Sequence, residues 1–373
     1  MDTYMLNSNE KIGMSGRPEK MYDADFQSAL KYLVSDEISL SSSLLFAFSD
    51  VTRPELQEFA RIWQTLPADK RRRVSLAMME LAEERIEADF TRIFRYLLDD
   101  EDAQVRVNAI NGLWEVEDTA LIRLFIGALR SDPDAQVRAA AAEALGRFLL
   151  LAETKRIPAA DGDEIQTALL AAIRSGAEDQ LVVRRAIESL AYLGDETVRN
   201  IVATAYANDD PKMRATAIFA MGRSADPYWK RIVAQELFSP DPQIRFEAAR
   251  AIGELEFQAA VPRLIELADD PDREVSSAAI TSLGQIGGKE ARRALIALIE
   301  GPDEVTREIA QDALDELEFA SGSNLLLVDI GLESAEEALL AEELEDDEAE
   351  FDDADDESRD LLDNGDLRPR RKR

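Results

Sequence analysis

Carboxylates are the side chains through which this sequence could most readily do chemistry. The chain of 373 residues holds 76 acidic and 43 basic residues, so its formal net charge is −33. It contains neither histidine nor cysteine, which removes the most frequent general base, the most frequent metal ligand and every thiolate site. Acidic pairs occur throughout, and no pair has a spacing that distinguishes a general acid from a base. Because no glycine-rich phosphate loop or metal-ligand motif occurs either, the sequence predicts no catalytic residues, no metal and no cofactor.

A short pattern recurs along the chain and indicates how its elements are arranged. Each copy begins with aspartate. Three residues after the aspartate comes an aliphatic residue in every copy but the last, and four residues after it usually comes arginine. Small residues then follow at three-residue steps. The copies start at Asp102, Asp134, Asp179, Asp210, Asp241, Asp272 and Asp303. The last four steps are 31 residues each. A constant period of this length is typical of stacked helical repeats.

Each column of the pattern suggests a structural role. The aspartate is suited to cap a helix, because its carboxylate can accept backbone N–H groups that lack a partner. The arginine column consists of Arg106, Arg138, Arg214, Arg245 and Arg307, with Val183 and Ser276 in the two remaining copies. We expect these arginines to pair with aspartates of neighbouring repeats. Alanine follows three residues later in all seven copies, and such small residues let a neighbouring helix approach closely.

The pattern and the amphipathic segments between its copies predict an all-α fold. We expect an α-solenoid, a right-handed superhelix of helical hairpins, followed by an acidic and largely disordered tail. The expected regions are a disordered N-terminus (1–20), capping helices (21–53), about eight helix pairs (54–319) and an acidic low-complexity tail (320–373) that ends in a short basic cluster. Residues 333–367 hold 18 acids and one base, which is too polar a composition to form a packed core.

One step of the repeat, from Asp134 to Asp179, is 45 residues long instead of 31 or 32. The additional residues lie at about 150–163. We expect them to lengthen the helix that begins at Asp134 and then to form a loop that contains proline and glycine.

The pattern of aspartate, aliphatic residue, arginine and alanine resembles HEAT repeats, specifically the short, phycobilisome-lyase-like subgroup with a period near 30. The resemblance covers about 102–318 and extends plausibly back to residue 54. It implies an armadillo-type fold and, for most members, a protein-binding scaffold. The deoxyhypusine hydroxylases are also HEAT-like, and their di-iron site is built from histidine–glutamate pairs. A chain without histidine cannot form those pairs.

The resemblance implies that the helices carrying the pattern line the concave face, so that side chains two, five and nine positions after the arginine column point outward. In the fourth to sixth copies, these and adjacent positions hold Arg184, Arg185, Tyr192, Phe219, Arg223, Phe246 and Arg250. Exposed aromatic and arginine side chains are enriched at binding hot spots. The residues therefore predict a basic and aromatic patch that binds a protein or peptide. The alternative is that the rings tuck against neighbouring helices and the arginines only solvate the face.

The function favoured by the sequence is that of a non-enzymatic protein-binding scaffold or adaptor, whose acidic tail modulates binding. Two alternatives remain open: a phycobilisome-lyase-like protein that handles a tetrapyrrole chromophore, and an acidic chaperone for a basic partner. An acidic body repels nucleic acid and anionic membranes, so neither is expected as a partner. A polar beginning of the chain and the lack of a long apolar run predict a cytoplasmic protein, which we expect to be a monomer.

Overall fold

The computed structural model of the protein describes residues 25–35 and 41–320. These residues form eighteen α-helices and no β-strand, which confirms the predicted all-α class. The predicted N-terminal segment (1–20) and the predicted tail (320–373), apart from residue 320 at the end of a helix, lie outside the described residues. No helix in the described part of the chain has both the length and the apolar character needed to cross a membrane.

Two short helices, α1 and α2, precede eight helical hairpins, and a short 3₁₀ turn leads into α13 and into α15. The helices in chain order are α1 (Phe26–Val34), α2 (Ser42–Phe46), α3 (Arg53–Trp63), α4 (Ala68–Glu84), α5 (Thr91–Leu97), α6 (Ala103–Asn111), α7 (Ala120–Ser131), α8 (Ala135–Glu153), α9 (Ala159–Arg174), α10 (Gln180–Leu190), α11 (Glu196–Tyr206), α12 (Pro211–Arg223), α13 (Lys230–Glu236), α14 (Pro242–Glu254), α15 (Val261–Leu267), α16 (Arg273–Ile286), α17 (Gly288–Ile299) and α18 (Glu304–Ala320). The repeated pattern begins the second helix of every hairpin from α6 to α18. We call α6, α8, α10, α12, α14, α16 and α18 the signature helices.

The helices form two compact units, Met1–Asp226 and Pro227–Arg373. In the first unit, α4 and the signature helices α6, α8, α10 and α12 pack side by side in chain order. In the second unit, α14, α16 and α18 do the same. The odd-numbered helix of each hairpin packs against its own signature helix. Each unit is therefore a stack of helical hairpins, the arrangement of an α-solenoid.

The alanine column permits the close packing of the signature helices. All seven alanines, from Ala109 to Ala310, have no accessible surface. Three positions further on, the Ser189 hydroxyl donates a hydrogen bond to the Ala142 carbonyl at 2.8 Å, and the Ser282 hydroxyl donates to the Ala249 carbonyl at the same distance. These contacts join consecutive signature helices, because Ser189 lies on α10 and Ala142 on α8. The close approach predicted from the small residues is confirmed.

The aspartate of each copy caps its helix as the pattern predicts. Asp102, for example, accepts the backbone N–H groups of Gln104 and Val105, and Asp303 accepts that of Thr306. The same contact is made by Asp134, Asp179, Asp210, Asp241 and Asp272. Each cap satisfies an N–H group at a helix start that would otherwise lack a partner.

The arginine column connects consecutive repeats, but its acidic partners are not the capping aspartates. Each partner lies one or two residues before the next cap. The pairs are Arg106–Asp132 at 2.7 Å, Arg138–Glu178 at 2.7 Å and Arg245–Asp270 at 2.8 Å. The same arginines donate to two backbone carbonyls in the loop before their own helix. One guanidinium therefore holds two successive interhelical loops together, and we call this contact a loop clamp.

The interruptions in the arginine column remove the donor of the clamp, and an acid, Asp209, still stands one residue before the cap that follows Val183. Val183 replaces arginine in one copy, and the residue two before the next cap is Asn208. Ser276 replaces arginine in another copy, and the corresponding residue is Gly301. The Ser276 hydroxyl instead donates to the Ala268 carbonyl at 2.6 Å.

Two arginines of the column have other surroundings. The Arg214 guanidinium lies 5.3 Å from the centre of the Tyr206 ring. The guanidinium of Arg307, on the last described helix, donates to the carbonyls of Gly301 and Pro302. The predicted ladder therefore has pairs at Arg106, Arg138 and Arg245 and cannot form at Val183 and Ser276, which have no guanidinium.

The inserted residues lengthen two helices, so the expected loop is shorter than predicted. α8 continues to Glu153, and α9 already begins at Ala159. Gly162 belongs to α9, where an added Cβ would lie only 2.8 Å from the Cβ of Ala152. This glycine therefore allows close packing of two helices and does not mark a loop. In the intervening turn, Arg156 forms an ion pair with Glu117 at 2.8 Å.

The clamp also lowers the pKa of a carboxyl group. Burial acts to raise the pKa of Asp270, but the hydrogen bonds from Arg245 and from the Asp272 backbone outweigh it, and the pKa lies below its ordinary value. The hydrogen bond from Arg72 lowers the pKa of Asp102 in the same way. The hydrogen bond to Asp270 raises the pKa of Arg245. The charged forms of both partners are thus favoured by folding.

Replacing Arg245 by Ala should lower the free energy of unfolding by about 2–4 kcal/mol, because Asp270 would remain buried without its counterion. The two side chains are only 13% and 6% exposed. Urea unfolding followed by circular dichroism measures the loss. The control is Arg292→Ala, which removes a more exposed ion pair of the same unit and should cost less than about 1 kcal/mol. Equal losses in both variants would contradict the clamp, whereas R245M/D270L should recover most of the stability.

Asp270→Asn should destabilise the protein at neutral pH and lose this effect in acid. A carboxyl whose pKa is lowered by folding stabilises the folded state above its unfolded pKa of about 3.9, and the contribution disappears as pH falls through the lower folded value. The melting temperatures of wild type and variant should therefore converge below about pH 4. Asp269→Asn, at the exposed neighbouring position, controls for the change in net charge. A difference that stays constant from pH 7 to pH 3 would rule out this role of Asp270.

Candidate functional site

The residues one, five and nine positions after the arginine column follow one another at four-residue spacing, so they lie on one face of each signature helix. In unit 1 this face carries Glu143 and Arg147 on α8, Arg184 and Glu188 on α10 with Tyr192 in the turn that follows it, and Phe219 and Arg223 on α12. In unit 2 it carries Phe246, Arg250 and Glu254 on α14, Ser277, Thr281 and Gln285 on α16, and Glu308, Asp312 and Glu316 on α18. The alanine column is buried on the other side of the helix. This face can therefore vary without disturbing the packing.

Two of the three predicted arginines of unit 1, Arg184 and Arg185, are paired with acids. Arg185 forms ion pairs with Glu188 at 2.6 Å and with Glu143 at 3.4 Å. Arg184 lies 4.0 Å from the Asp210 carboxylate. Glu188 also accepts a hydrogen bond from the Thr216 hydroxyl. The surface around these arginines is therefore a network of alternating charges, not the bare basic patch that the sequence suggested.

The predicted aromatic residues of unit 1 surround Arg223. Its guanidinium lies 5.2 Å from the centre of the Phe219 ring and 5.8 Å from that of Tyr192. Both rings and the arginine are half-buried. The rings thus pack partly against neighbouring side chains, as the alternative interpretation supposed, while part of each remains accessible.

Phe246 and Arg250 belong to unit 2, where they line a groove of about 560 Å³ between α14 and α16. We call it the α14–α16 groove. One wall carries Phe246, Arg250 and Glu254, and the other carries Arg273, Ser277, Thr281 and Gln285 at successive four-residue steps. The Arg250 guanidinium lies 5.5 Å from the centre of the Phe246 ring and forms an ion pair with Glu247 at 3.5 Å. A groove of this volume is within the range of ligand-binding sites.

Glycine at position 253 sets the depth of the groove. An added Cβ there would lie 2.6 Å from the Ser282 hydroxyl and 2.2 Å from the Gln285 side-chain oxygen. α16 can therefore approach α14 at this end, and Gln285 lies over the glycine. Because Thr281 and Gln285 are exposed, hydroxyl and amide groups along one wall are available to hydrogen-bond a ligand.

Four of the described aspartates have pKa values below the ordinary value. The pKa values of Asp102, Asp118, Asp270 and Asp303 are all lowered, mainly by hydrogen bonds that cap helices or pair with arginine. A general acid requires a raised value. In the described residues, no group of three or more acidic side chains is arranged to hold a metal ion.

Two exposed residues were missed by the sequence interpretation. Trp114 is 55% exposed and Ile86 is 91% exposed. A signal for Trp114 exists in the repeat: it stands eight residues after Arg106, where the next copies carry Gly146, Ala191, Gly222, Gly253 and Gly284. Ile86 follows α4, outside the conserved columns of the pattern, so the repeat gives no signal for it.

Comparison with known proteins identifies the repeat. Residues 91–159 and 231–315 match the family model for HEAT repeats, so these segments are HEAT repeats, as the aspartate–arginine–alanine pattern predicted. None of the curated proteins matches the chain.

Solved structures with similar folds include human deoxyhypusine hydroxylase in complex with glycerol, with 20% identity over 71% of this chain and 97% of that chain, and a TM-score of 0.32. The complex of CpcE and CpcF of phycocyanin lyase from Nostoc sp. PCC7120 has 20% identity over 61% and 94% of the two chains, and a TM-score of 0.41. The YibA protein of E. coli has 15% identity over 76% and 98%, and a TM-score of 0.44. At these identities and TM-scores, the likenesses say nothing about activity.

Proposed function

We propose that this HEAT-repeat protein is a non-enzymatic scaffold that binds a protein or peptide partner in the α14–α16 groove. The observation that supports the proposal is the groove itself, where two residues predicted from the sequence, Phe246 and Arg250, lie opposite a row of hydrogen-bonding side chains. A half-buried ring offers apolar contact, and a guanidinium beside it offers charge and donors. An extended peptide needs both, together with partners for its backbone amides.

The chemistry of the walls favours a peptide over a small cofactor. The groove is open and is lined by arginine, glutamate, serine, threonine and glutamine around one aromatic ring. Sites for small cofactors are more enclosed and mostly apolar. Alternating charges and amide groups instead match a polypeptide, whose backbone presents donors and acceptors at regular intervals.

The charges across unit 2 suggest how a partner would be oriented. On α14 the outward face carries Arg250, on α16 it carries uncharged Ser277, Thr281 and Gln285, and on α18 it carries exposed Glu308, Asp312 and Glu316. A partner that extends from α14 to α18 would present an acidic or apolar group to Arg250 and basic groups to α18. Complementary charge of this kind sets orientation and specificity more than affinity.

Peptides that bind the full-length protein, selected from a phage-displayed library, should lose affinity when the groove is altered. Phe246→Ala and Arg250→Glu should each raise the dissociation constant by about tenfold or more, because each removes a central contact. Isothermal titration calorimetry with the synthetic peptides measures this change. Circular dichroism melting of each variant confirms that the fold is retained.

Arg231→Glu provides the matched control, because Arg231 is exposed on α13 of the same unit and lies outside the groove. It should leave the dissociation constant within about twofold of the wild-type value, since exposed charges outside a contact contribute little. If every selected peptide binds the Phe246 and Arg250 variants as tightly as wild type, the groove is not the binding site.

A further inference from the structure

A second surface, in unit 1, combines exposed apolar side chains with negative charge. It is a notch of about 310 Å³ between the turn that follows α4 and the turn that follows α6. Its apolar lining includes Met79, Ile86, Phe90, Trp114 and Val116. Ile86 and Trp114 are 91% and 55% exposed. Large apolar side chains exposed together are a mark of interaction surfaces.

The notch exists because the first signature helix ends early. In the next five copies, the position of Trp114 is taken by glycine or alanine; a Cβ added to Gly146, for example, would be 2.6 Å from the Ser189 hydroxyl on the next signature helix. A tryptophan could not fit in such a contact. α6 ends at Asn111, so Trp114 lies in the turn beyond the helix and its ring remains accessible.

The tryptophan ring is supported from behind by α8. The Arg147 guanidinium lies 5.7 Å from the centre of the Trp114 ring, and its Nη2 donates to the Val116 carbonyl at 2.7 Å. The ion pair of Arg156 with Glu117 ties the same turn to the inserted residues. These contacts hold the ring in place before any partner binds, which reduces the entropy lost on association.

The charges that line the notch are all negative. Glu83, Asp89 and Glu115 belong to the lining, and no basic residue does. Glu83 and Glu115 are exposed, and neither forms an ion pair with another described residue. Two exposed carboxylates beside an apolar notch favour a cationic partner and disfavour an anionic one, although the Arg147 guanidinium lies close enough to attract Glu115.

We propose that this notch binds a basic segment of a partner protein, with one aliphatic or aromatic side chain against Ile86 and Trp114 and lysine or arginine beside Glu83 and Glu115. The apolar contact supplies affinity, since an accessible tryptophan is a frequent hot spot. The carboxylates favour partners whose residues beside that apolar side chain are positively charged. None of these residues belongs to the α14–α16 groove, so this proposal stands or fails independently of the one made for that site.

Three synthetic peptides separate the contribution of the apolar contact from that of charge. KKLFKKL is a basic peptide with an apolar centre, KKSSKKS is a basic peptide without one, and EELFEEL is an acidic peptide with the apolar centre. The first should change the tryptophan emission of the full-length protein with a saturable response. The chain has three tryptophans, of which Trp63 and Trp229 are buried, so the emission change reports Trp114. The other two peptides should bind at least about tenfold more weakly. Binding of the first should weaken as salt is raised.

Variants locate the site, with binding followed by the anisotropy of fluorescein-labelled KKLFKKL. Ile86→Ser, Trp114→Ala and the charge reversal E83K/E115K should each raise the dissociation constant by about tenfold or more. Leu124→Ala, at an exposed apolar position on α7, and Glu164→Lys, at an exposed acid on α9, should leave it unchanged. Ile86→Ser replaces a side chain with few contacts, so it tests the notch even if Trp114→Ala fails to fold.

Four outcomes would overturn the proposal. Equal affinity for KKLFKKL and KKSSKKS would mean that negative charge alone attracts the peptide, and equal affinity for EELFEEL would mean that the carboxylates select nothing. Equal losses in the Glu164→Lys control would place the binding outside the notch. Self-association detected by sedimentation, and abolished by Trp114→Ala, would show that a second copy of the chain occupies the surface.

Discussion

The contact between consecutive signature helices is the constraint on which the rest of the structure depends. A single amphipathic hairpin cannot bury its apolar face, so each hairpin is stable only against its neighbours. The contact is close because the alanine column has no accessible surface from Ala109 to Ala310. Where glycine follows, even a methyl group would not fit: a Cβ on Gly284 would lie 2.5 Å from the Ala313 carbonyl oxygen. Packing this close fixes which side of each signature helix remains available to other molecules.

The loop clamps also fix the positions of consecutive signature helices along their axes. An alanine face is nearly featureless, so it sets the distance between helices more strictly than their relative positions along the axis. A clamp such as that of Arg106 supplies the missing constraint, because one guanidinium binds the Asp100 carbonyl in its own loop and the Asp132 carboxylate in the next. The clamp is absent at Val183 and Ser276, where the hairpins depend on side-chain packing and on local hydrogen bonds such as that from Ser276 to Ala268.

The sequence predicted the features that the repeat enforces. Helix starts followed from the aspartate column, because a capping carboxylate needs only local backbone geometry. The acidic partner of each clamp was less predictable: Asp132, Glu178 and Asp270 stand outside the capping column, at one or two residues from the cap. Which of two neighbouring acids meets an arginine depends on the path of the loop, and the repeat pattern carries no information about it.

The candidate sites were likewise predictable only in part: the positions set by the repeat followed from the sequence, and the contacts between helices did not. Phe246 and Arg250 could be identified because they occupy outward positions in a known register, yet the groove beside them depends on the space left by Gly253, a position that the predicted pattern does not include. The pairing of Arg185 with Glu143 and Glu188 joins two helices, and composition alone did not reveal it. Trp114, in contrast, can be noticed in the sequence, because this large aromatic residue stands at a position where the next five copies have glycine or alanine.

The residues that make the fold are thereby separated from those that can recognise a partner. Aspartate, arginine and alanine are committed to caps, clamps and helix contacts, and their substitution would cost stability. The outward positions touch few neighbours, so they can differ from copy to copy, as Phe246, Ser277 and Glu308 do at the same place in successive repeats. The two proposed binding sites use such outward residues and one local departure from the pattern. At Trp114, an exposed aromatic ring stands where other copies have a contact between helices. Exposing the ring to water costs free energy, and the proposed interaction surface would account for that cost.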